Sequence, residues 1–229
     1  ILDCVTSANI ACGGHAGDPE TMFRTLRLAR DRGVRVGAHP GYADREVFGR
    51  RVIPMQAAEI GRMVVAQVGA LIALARLAGT AVRYVKPHGA LGNLAAADAT
   101  VAHAVATAVK ALDPALAILA ISGTELERAG RALSMPVFSE IFADRAYQPD
   151  GQLVPRGKPG AVLHDPQEAA DRLIGYLKTG LMPVQGAAPL TLRADSICVH
   201  GDSAEAAEMA RLIRHRLQAE GVTLAAFVP

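Results

Sequence analysis

Tryptophan is absent from this chain, and tyrosine and phenylalanine together make up only 4% of it. That scarcity removes the stacking platforms on which single-stranded nucleic acid is held. An excess of charge is missing too: 24 basic residues stand against 22 acidic ones and are scattered, so no phosphate-tracking surface is expected. Nucleic acid is not an expected partner. Cysteine occurs only at Cys4, Cys12 and Cys198, without CxxC spacing, which argues against a disulfide framework or a cysteine zinc site and fits a reducing cytoplasm. The longest apolar stretch, 63–79, is interrupted by Gln67 and Arg76 at helical period, so a buried helix is expected there and no membrane span. Low-complexity tracts, linker-like runs and internal repeats are lacking, which points to one domain over 1–229. The chain opens at Ile1 without an initiator methionine and enters a strand pattern almost at once. A preceding segment is therefore expected, and the sequence is silent on a leader peptide.

What is present is alternation. With 229 residues and 51% hydrophobic content the chain can bury a sizeable core. Strands are expected over 5–12, 34–38, 82–86, 116–121, 137–141, 161–163 and 196–199. Helices are expected over 18–32, capped by Asp18 with Pro19 in the first turn, and through Ile60, Val64, Val68, Leu71 and Ala75. Further helices are expected over 95–112, 124–133, 165–178 and 203–220. Such alternation builds either a closed barrel or an open doubly wound sheet. An open sheet concentrates binding residues at one switch point, whereas here nearly every strand end carries polar candidates. The expected fold is α/β, a single-domain barrel of about seven parallel strands counting whatever precedes Ile1.

His15, His39, His88 and His200 each stand just past one of these strands. The richest stretch, Ser7 to Asp18, sets Asn9, two consecutive glycines and His15 before a helix N-terminus, where a ligand can approach the main chain. Helix capping alone would also explain Asp18, and loop backbone could satisfy His15. His39 opens the long loop 39–54, whose Asp44, Arg45, Arg50 and Arg51 could clamp an anion or form ordinary surface ion pairs. Lys86 and His88, two residues apart at a strand end, can face one side, and a lysine leaving a buried strand needs a partner or a ligand. Glu140, Asp144 and Arg145 are spaced along the next candidate end, with a buried Glu140–Arg145 pair as the structural alternative. The stretch 155–160, with Arg156 and Lys158, is basic and glycine-rich but lacks the phosphate-loop order and its hydroxyl. His200 closes the set, beside Asp202 as a candidate helix cap. His103, His164 and His215, in helical patterns or beside a helix start, receive no role.

Taken in order, SANIACGGHAGDP, VGAHPGY, FGRR, KPHGAL, EIFADRAY, LVPRGKPGA and CVHGD resemble the LamB/YcsF family across essentially the whole chain. The resemblance implies a distorted seven-stranded β/α barrel similar to glycoside hydrolases and polysaccharide deacetylases. It implies ATP-dependent ring opening of 5-oxo-L-proline to L-glutamate, in which members of the family serve as the A subunit of a 5-oxoprolinase and work with 5-oxoprolinase subunits B and C. ATP, with Mg²⁺, is then the expected cofactor, and no tightly bound metal is expected. On that scheme Lys86 and Arg156 contact anions, His15, His88 and His200 act as acid/base groups, and Asn9, His39, Asp44, Glu140, Asp144 and Arg145 bind or orient substrate and water. Three departures stand out: the family's opening acidic strand would precede Ile1, Gly14 replaces an aromatic residue, and Val47 replaces a glycine, changes expected to alter the pocket walls. Two other readings remain open: a metal-dependent amidohydrolase or deacetylase using two or three of the histidines, and a non-catalytic substrate carrier.

Overall fold

The computed structural model describes residues 1–201 and 206–229. In chain order its elements are β1 (Ser7–Ala11), α1 (Pro19–Asp31), β2 (Arg35–His39), α2 (Ala57–Leu77), β3 (Val82–Val85), α3 (Gly89–Ala97) and α4 (Ala99–Leu112). Then follow β4 (Ala117–Ile121), α5 (Glu125–Ala132), β5 (Val137–Phe142), α6 (Pro166–Thr179), β6 (Leu181–Val184), β7 (Ala187–Thr191), β8 (Ser196–Cys198) and α7 (Ala206–Ala219). Six strands run parallel in the order β1-β2-β3-β4-β5-β8, a curled sheet that forms a half-barrel. Parallel strands all point their C-terminal ends to one rim, and that rim holds the site described below.

The sequence patterns convert into elements for visible reasons. Asp18 caps α1 by accepting from the Thr21 N–H at 2.9 Å and the Thr21 hydroxyl at 2.7 Å, with Pro19 in the first turn. Strand β4 is apolar throughout because both its faces are covered: Ile118 and Ala120 pack under the helices, while Ala117 and Leu119 face the interior. Inside, Leu119 meets Tyr84, Phe138 and the C-terminal residues Phe227 and Val228. Gly37 on β2 makes room for this packing, since a Cβ there would collide with the buried Tyr84 ring. Helix α2 is long and apolar enough to cross a membrane by length and composition. Here its stripe Ile60, Val64, Val68 and Leu71 is buried in the core that also takes in α4.

Several expectations are corrected. The expected α/β barrel is borne out as a half-barrel with six parallel strands among the described residues, but 161–163 is no strand of it and supplies only a bridge between Val162 and Arg145. Gly160, at φ +70°, and the Asp165 cap of α6 leave too little chain between them for a ladder. The helix expected over 95–112 is two helices that meet at Asp98, whose carboxylate accepts from the N–H groups of Thr100 and Val101. The hairpin β6–β7 was not expected: Pro183 and Pro189 argue against strands, and they are tolerated because this two-stranded ribbon stands apart from the main sheet. The expected Asp202 cap and the helix start at 203 lie outside the described residues.

Candidate functional site

A cavity of about 540 Å³ opens at the C-terminal rim, within the size range of small-molecule sites. Three cross-strand groupings line it. The first joins β3, β5 and β8. Lys86, one residue beyond β3, places Nζ 2.5 Å from Glu140 Oε2 and donates to Cys198 Sγ at 3.1 Å, with the Phe142 ring 4.9 Å away. Burial works against the Lys86 charge, but the sulfur and carboxylate beside it outweigh that and raise its pKa. Burial also pushes the Cys198 thiol up to about 12, so at neutral pH it is a thiol and Glu140 is the counter-charge. Two of the three ammonium donors are thus engaged, leaving one for a ligand.

The second grouping is a carboxylate–imidazole dyad. Asp144, just past β5, lies with Oδ2 2.7 Å from His200 Nδ1, and the His200 ring stacks at 5.7 Å on Phe142. Burial would raise the Asp144 pKa, but the His200 hydrogen bond and charge outweigh it and the net shift is downward. An ionised carboxylate on Nδ1 leaves Nε2 as the nitrogen for proton transfer. Arg145 and Arg156 line the same cavity. Arg145 is itself anchored, Nε to the Ala161 carbonyl at 3.1 Å and an Nη to the Val154 carbonyl at 2.6 Å, which fastens the basic loop to the rim. Burial, aided by the Arg156 charge, lowers its pKa to about 10.

The third grouping collects His15, His39 and His88 from the ends of β1, β2 and β3. His39 Nδ1 lies 2.5 Å from the Lys86 carbonyl, His39 Nε2 lies 3.1 Å from His88 Nδ1, and His88 Nε2 lies 2.7 Å from the Phe48 carbonyl. The His15 ring stacks on His88 at 3.6 Å and 10°, and Phe48 sets its edge to both. Phe48 reaches this position at φ +56°, a conformation that a bulky residue holds only when its surroundings insist. Gly49 must follow at φ +63°, because a Cβ there would stand 2.7 Å from the His15 Cβ. Burial, then the charges of His88, Arg50 and Arg45, lower the His15 pKa to about 3.

Of the residues expected from sequence, Asn9, His15, His39, Lys86, His88, Arg145, Arg156 and His200 line one cavity, while Glu140 and Asp144 reach it through Lys86 and His200. Asp44 is elsewhere: buried in the loop, it pairs with Arg51 at 3.1 Å. The alternative Glu140–Arg145 pair does not form, since Lys86 takes the carboxylate and backbone carbonyls take the guanidinium. Gly14 and Val47 are not cavity walls; Gly14 packs on Gly41 and Gln67, and Val47 is exposed. His103, His164 and His215 line no part of the rim cavity. Sequence reasoning missed Cys198, two residues before His200 and so on the same side of β8, and Gln67. The Gln67 amide receives the Gly41 N–H at 3.0 Å and donates to the Gly41 carbonyl at 2.8 Å, pinning the loop after β2. No group of three or more His, Cys, Asp or Glu arranged to hold a metal ion occurs among the described residues.

The family model described as the LamB/YcsF family matches residues 1–229. The chain belongs to the LamB/YcsF family. Among relatives of this family member, a Gluconobacter oxydans protein named as the A subunit of 5-oxoprolinase is 52% identical over 226 residues, covering 99% of this chain and 89% of that one. A Chloroflexus aggregans protein of the same name is 50% identical, covering 98% and 89%. The crystal structure of the lactam utilization protein from Thermus thermophilus superposes with a TM-score of 0.91 at 41% identity, covering 99% of this chain and 90% of that one.

Proposed function

We propose that this chain is the A subunit of a 5-oxoprolinase, a cytoplasmic enzyme that opens 5-oxo-L-proline to L-glutamate at the expense of ATP, in company with B and C subunits. The observation that carries the reading is the Asp144–His200 dyad set in the same cavity as the Lys86 ammonium and the Arg145 and Arg156 guanidiniums. A lactam is a poorly electrophilic amide, so both an activated water and a means of drawing electrons from the carbonyl are needed. His200, oriented through Nδ1 by Asp144, takes the proton from water. The cations receive the substrate carboxylate and the charge that develops on oxygen. Asn9 Oδ1 is buried and makes no hydrogen bond, which offers an acceptor to the lactam N–H.

ATP enters this scheme as a co-substrate. Transfer of a phosphoryl group to the lactam oxygen leaves a carbon that water attacks. The ring C–N bond then breaks with a proton delivered to nitrogen, giving an acyl phosphate, and a second water releases phosphate and the new carboxylate. The cavity exceeds what a single five-membered ring occupies, and its basic loop with Arg156 is suited to an anion. The names of the relatives and of the similar lactam utilization protein support the substrate. The test is 5-oxoproline-dependent ADP and glutamate formation by this chain alone and then with the products of its neighbouring genes. Coupled turnover that needs the chain and is lost in His200→Asn supports the reading. Turnover unaffected by that change, with substrate still bound, would instead make the chain a carrier. ATP-independent hydrolysis dependent on bound zinc would favour a metal amidohydrolase.

A further inference from the structure

The hydrogen bonds of the histidine grouping cannot be satisfied by neutral rings. The carbonyl oxygens of Phe48 and Lys86 only accept, so His88 Nε2 and His39 Nδ1 must each carry a proton. A neutral imidazole has a single N–H. With both rings neutral, the two remaining nitrogens, His39 Nε2 and His88 Nδ1, would face each other at 3.1 Å as bare lone pairs. Turning either ring over relieves nothing, because it sets C–H groups where the carbonyl and the other ring now receive N–H. A third proton belongs between the rings.

We infer that His88 is held by the fold as an imidazolium, donating to both Phe48 and His39, and forms a fixed positive wall of the cavity that reads an anionic group on the ligand. Desolvation and the neighbouring charges of His88 and Lys86 hold His39 well below the usual histidine range, so the extra proton rests on His88, with His39 as its neutral acceptor. The groups facing His88 fit this. His15, stacked flat on it, is neutral at pH 7, and the two acceptors, the Phe48 carbonyl and His39 Nε2, retain the proton. With both ring nitrogens engaged, His88 acts as charge and as a positioning residue: it locks the Phe48 carbonyl, and with it the strained Phe48–Gly49 turn, onto the start of α3. His200 is thereby left as the proton-transferring imidazole of the rim.

Hydrogen-bond geometry requires the third proton, and the burial of His39 beside Lys86 assigns it to His88; the ligand class, a compact carboxylate, rests on the proposed function. Nitrogen-15 NMR of the full chain labelled at histidine tests the first part. Signals that vanish in His88→Asn identify the ring, and in the unmodified protein at pH 8 both its nitrogens are expected to be protonated, with one bare nitrogen on His39. A bare nitrogen on His88 at that pH would overturn the inference. In His39→Leu, which removes the acceptor, His88 is expected to give up its extra proton at a lower pH than in the unmodified protein. The second part is tested by calorimetric binding of 5-oxo-L-proline and of its neutral carboxamide. His88→Asn should weaken the carboxylate about tenfold more than the amide. Equal losses would remove the anion-reading role while leaving the charge. A doubly protonated His88 in a chain that supports no 5-oxoproline turnover would count against the proposed activity alone.

Discussion

Replacing Lys86 by methionine isolates what its ion pair does. Methionine keeps most of the aliphatic stem and deletes the charge, so packing changes little while Glu140 loses its partner 2.5 Å away. The Lys86 side chain is 9% exposed and that of Glu140 2%, so the carboxylate itself has little solvent to take the place of the lost ammonium. Glu140 must then stay ionised in a dry interior beside a neutral thiol, or take up a proton. Removing one partner of a buried pair in this way costs about 3–5 kcal/mol, against roughly 0.2–1 kcal/mol for an exposed pair. In a domain stable by about 5–15 kcal/mol, that is a large share of the total. Adding Glu140→Leu removes the stranded charge, and apolar replacement of a whole buried pair is commonly neutral or better, so the double variant should recover most of the loss. Urea unfolding at pH 7 of the unmodified chain, both single variants and the double variant gives the four free energies. A loss below about 1 kcal/mol in Lys86→Met, or a double variant no more stable than the single, would refute the view of this pair as a dry, mutually dependent unit.

Further expectations concern the dyad, the stacked histidine and the core. His200→Asn and Asp144→Asn should each lower kcat for 5-oxoproline by about 10²–10⁴-fold with little change in substrate binding; a kcat within about threefold of the original in both would rule out proton transfer at the dyad. His15 has its pKa lowered to about 3 in the folded chain, against about 6.5 unfolded, so the unfolded state takes up the proton first on acidification. The neutral ring's contribution is therefore complete above pH ~6.5 and declines as pH falls toward about 3, by up to about 1.4 kcal/mol per pH unit. Unfolding at pH 4 and pH 7 should show a shallower difference in His15→Gln, and an unchanged difference would contradict the cause. Gly37→Ala should lose about 1–3 kcal/mol by overpacking, since Tyr84 is fully buried and has nowhere to turn. Tyr84→Leu in that background should restore part of it, and if thermal melts show no rescue the clash lies elsewhere.

How much of this was legible in the sequence depends on the kind of question. Element type followed local pattern where periodicity was strong: α1 with its Asp18 cap, α2 with its apolar stripe, and the fully buried β4. It failed where local pattern and tertiary setting diverge. Helix α3 begins at Gly89 and carries Gly92, whose absent side chain lets it lie against the Pro87 carbonyl, a closeness that no helix-propensity argument anticipates. The β6–β7 ribbon tolerates two prolines only because few partners depend on it. The polar residues at the rim were legible as a set, since a residue just past a parallel strand has one place to go. Gln67 was not: in sequence it merely interrupts an apolar run, and only the distant Gly41 gives its amide a purpose.

Partners were the illegible part, because a sequence shows which groups arrive and not which atoms they satisfy. Arg145 lies five residues beyond Glu140, yet Lys86 pairs with Glu140, reaching across β4 because the sheet curls and both side chains point inward. The same curl ties the three groupings together. Phe142 lies between Lys86 Nζ, 4.9 Å from its ring, and the His200 ring at 5.7 Å, while the Lys86 carbonyl receives the His39 N–H. Residues coupled through a shared neighbour do not contribute independently. A double-mutant cycle between Lys86→Met and His200→Asn, read by unfolding free energy, should therefore give an interaction of about 0.5–3 kcal/mol. The same cycle in a Phe142→Leu background should shrink. Strict additivity in the unmodified background would mean that the two groupings share a cavity without sharing a mechanical link, and that the ring between them merely fills space.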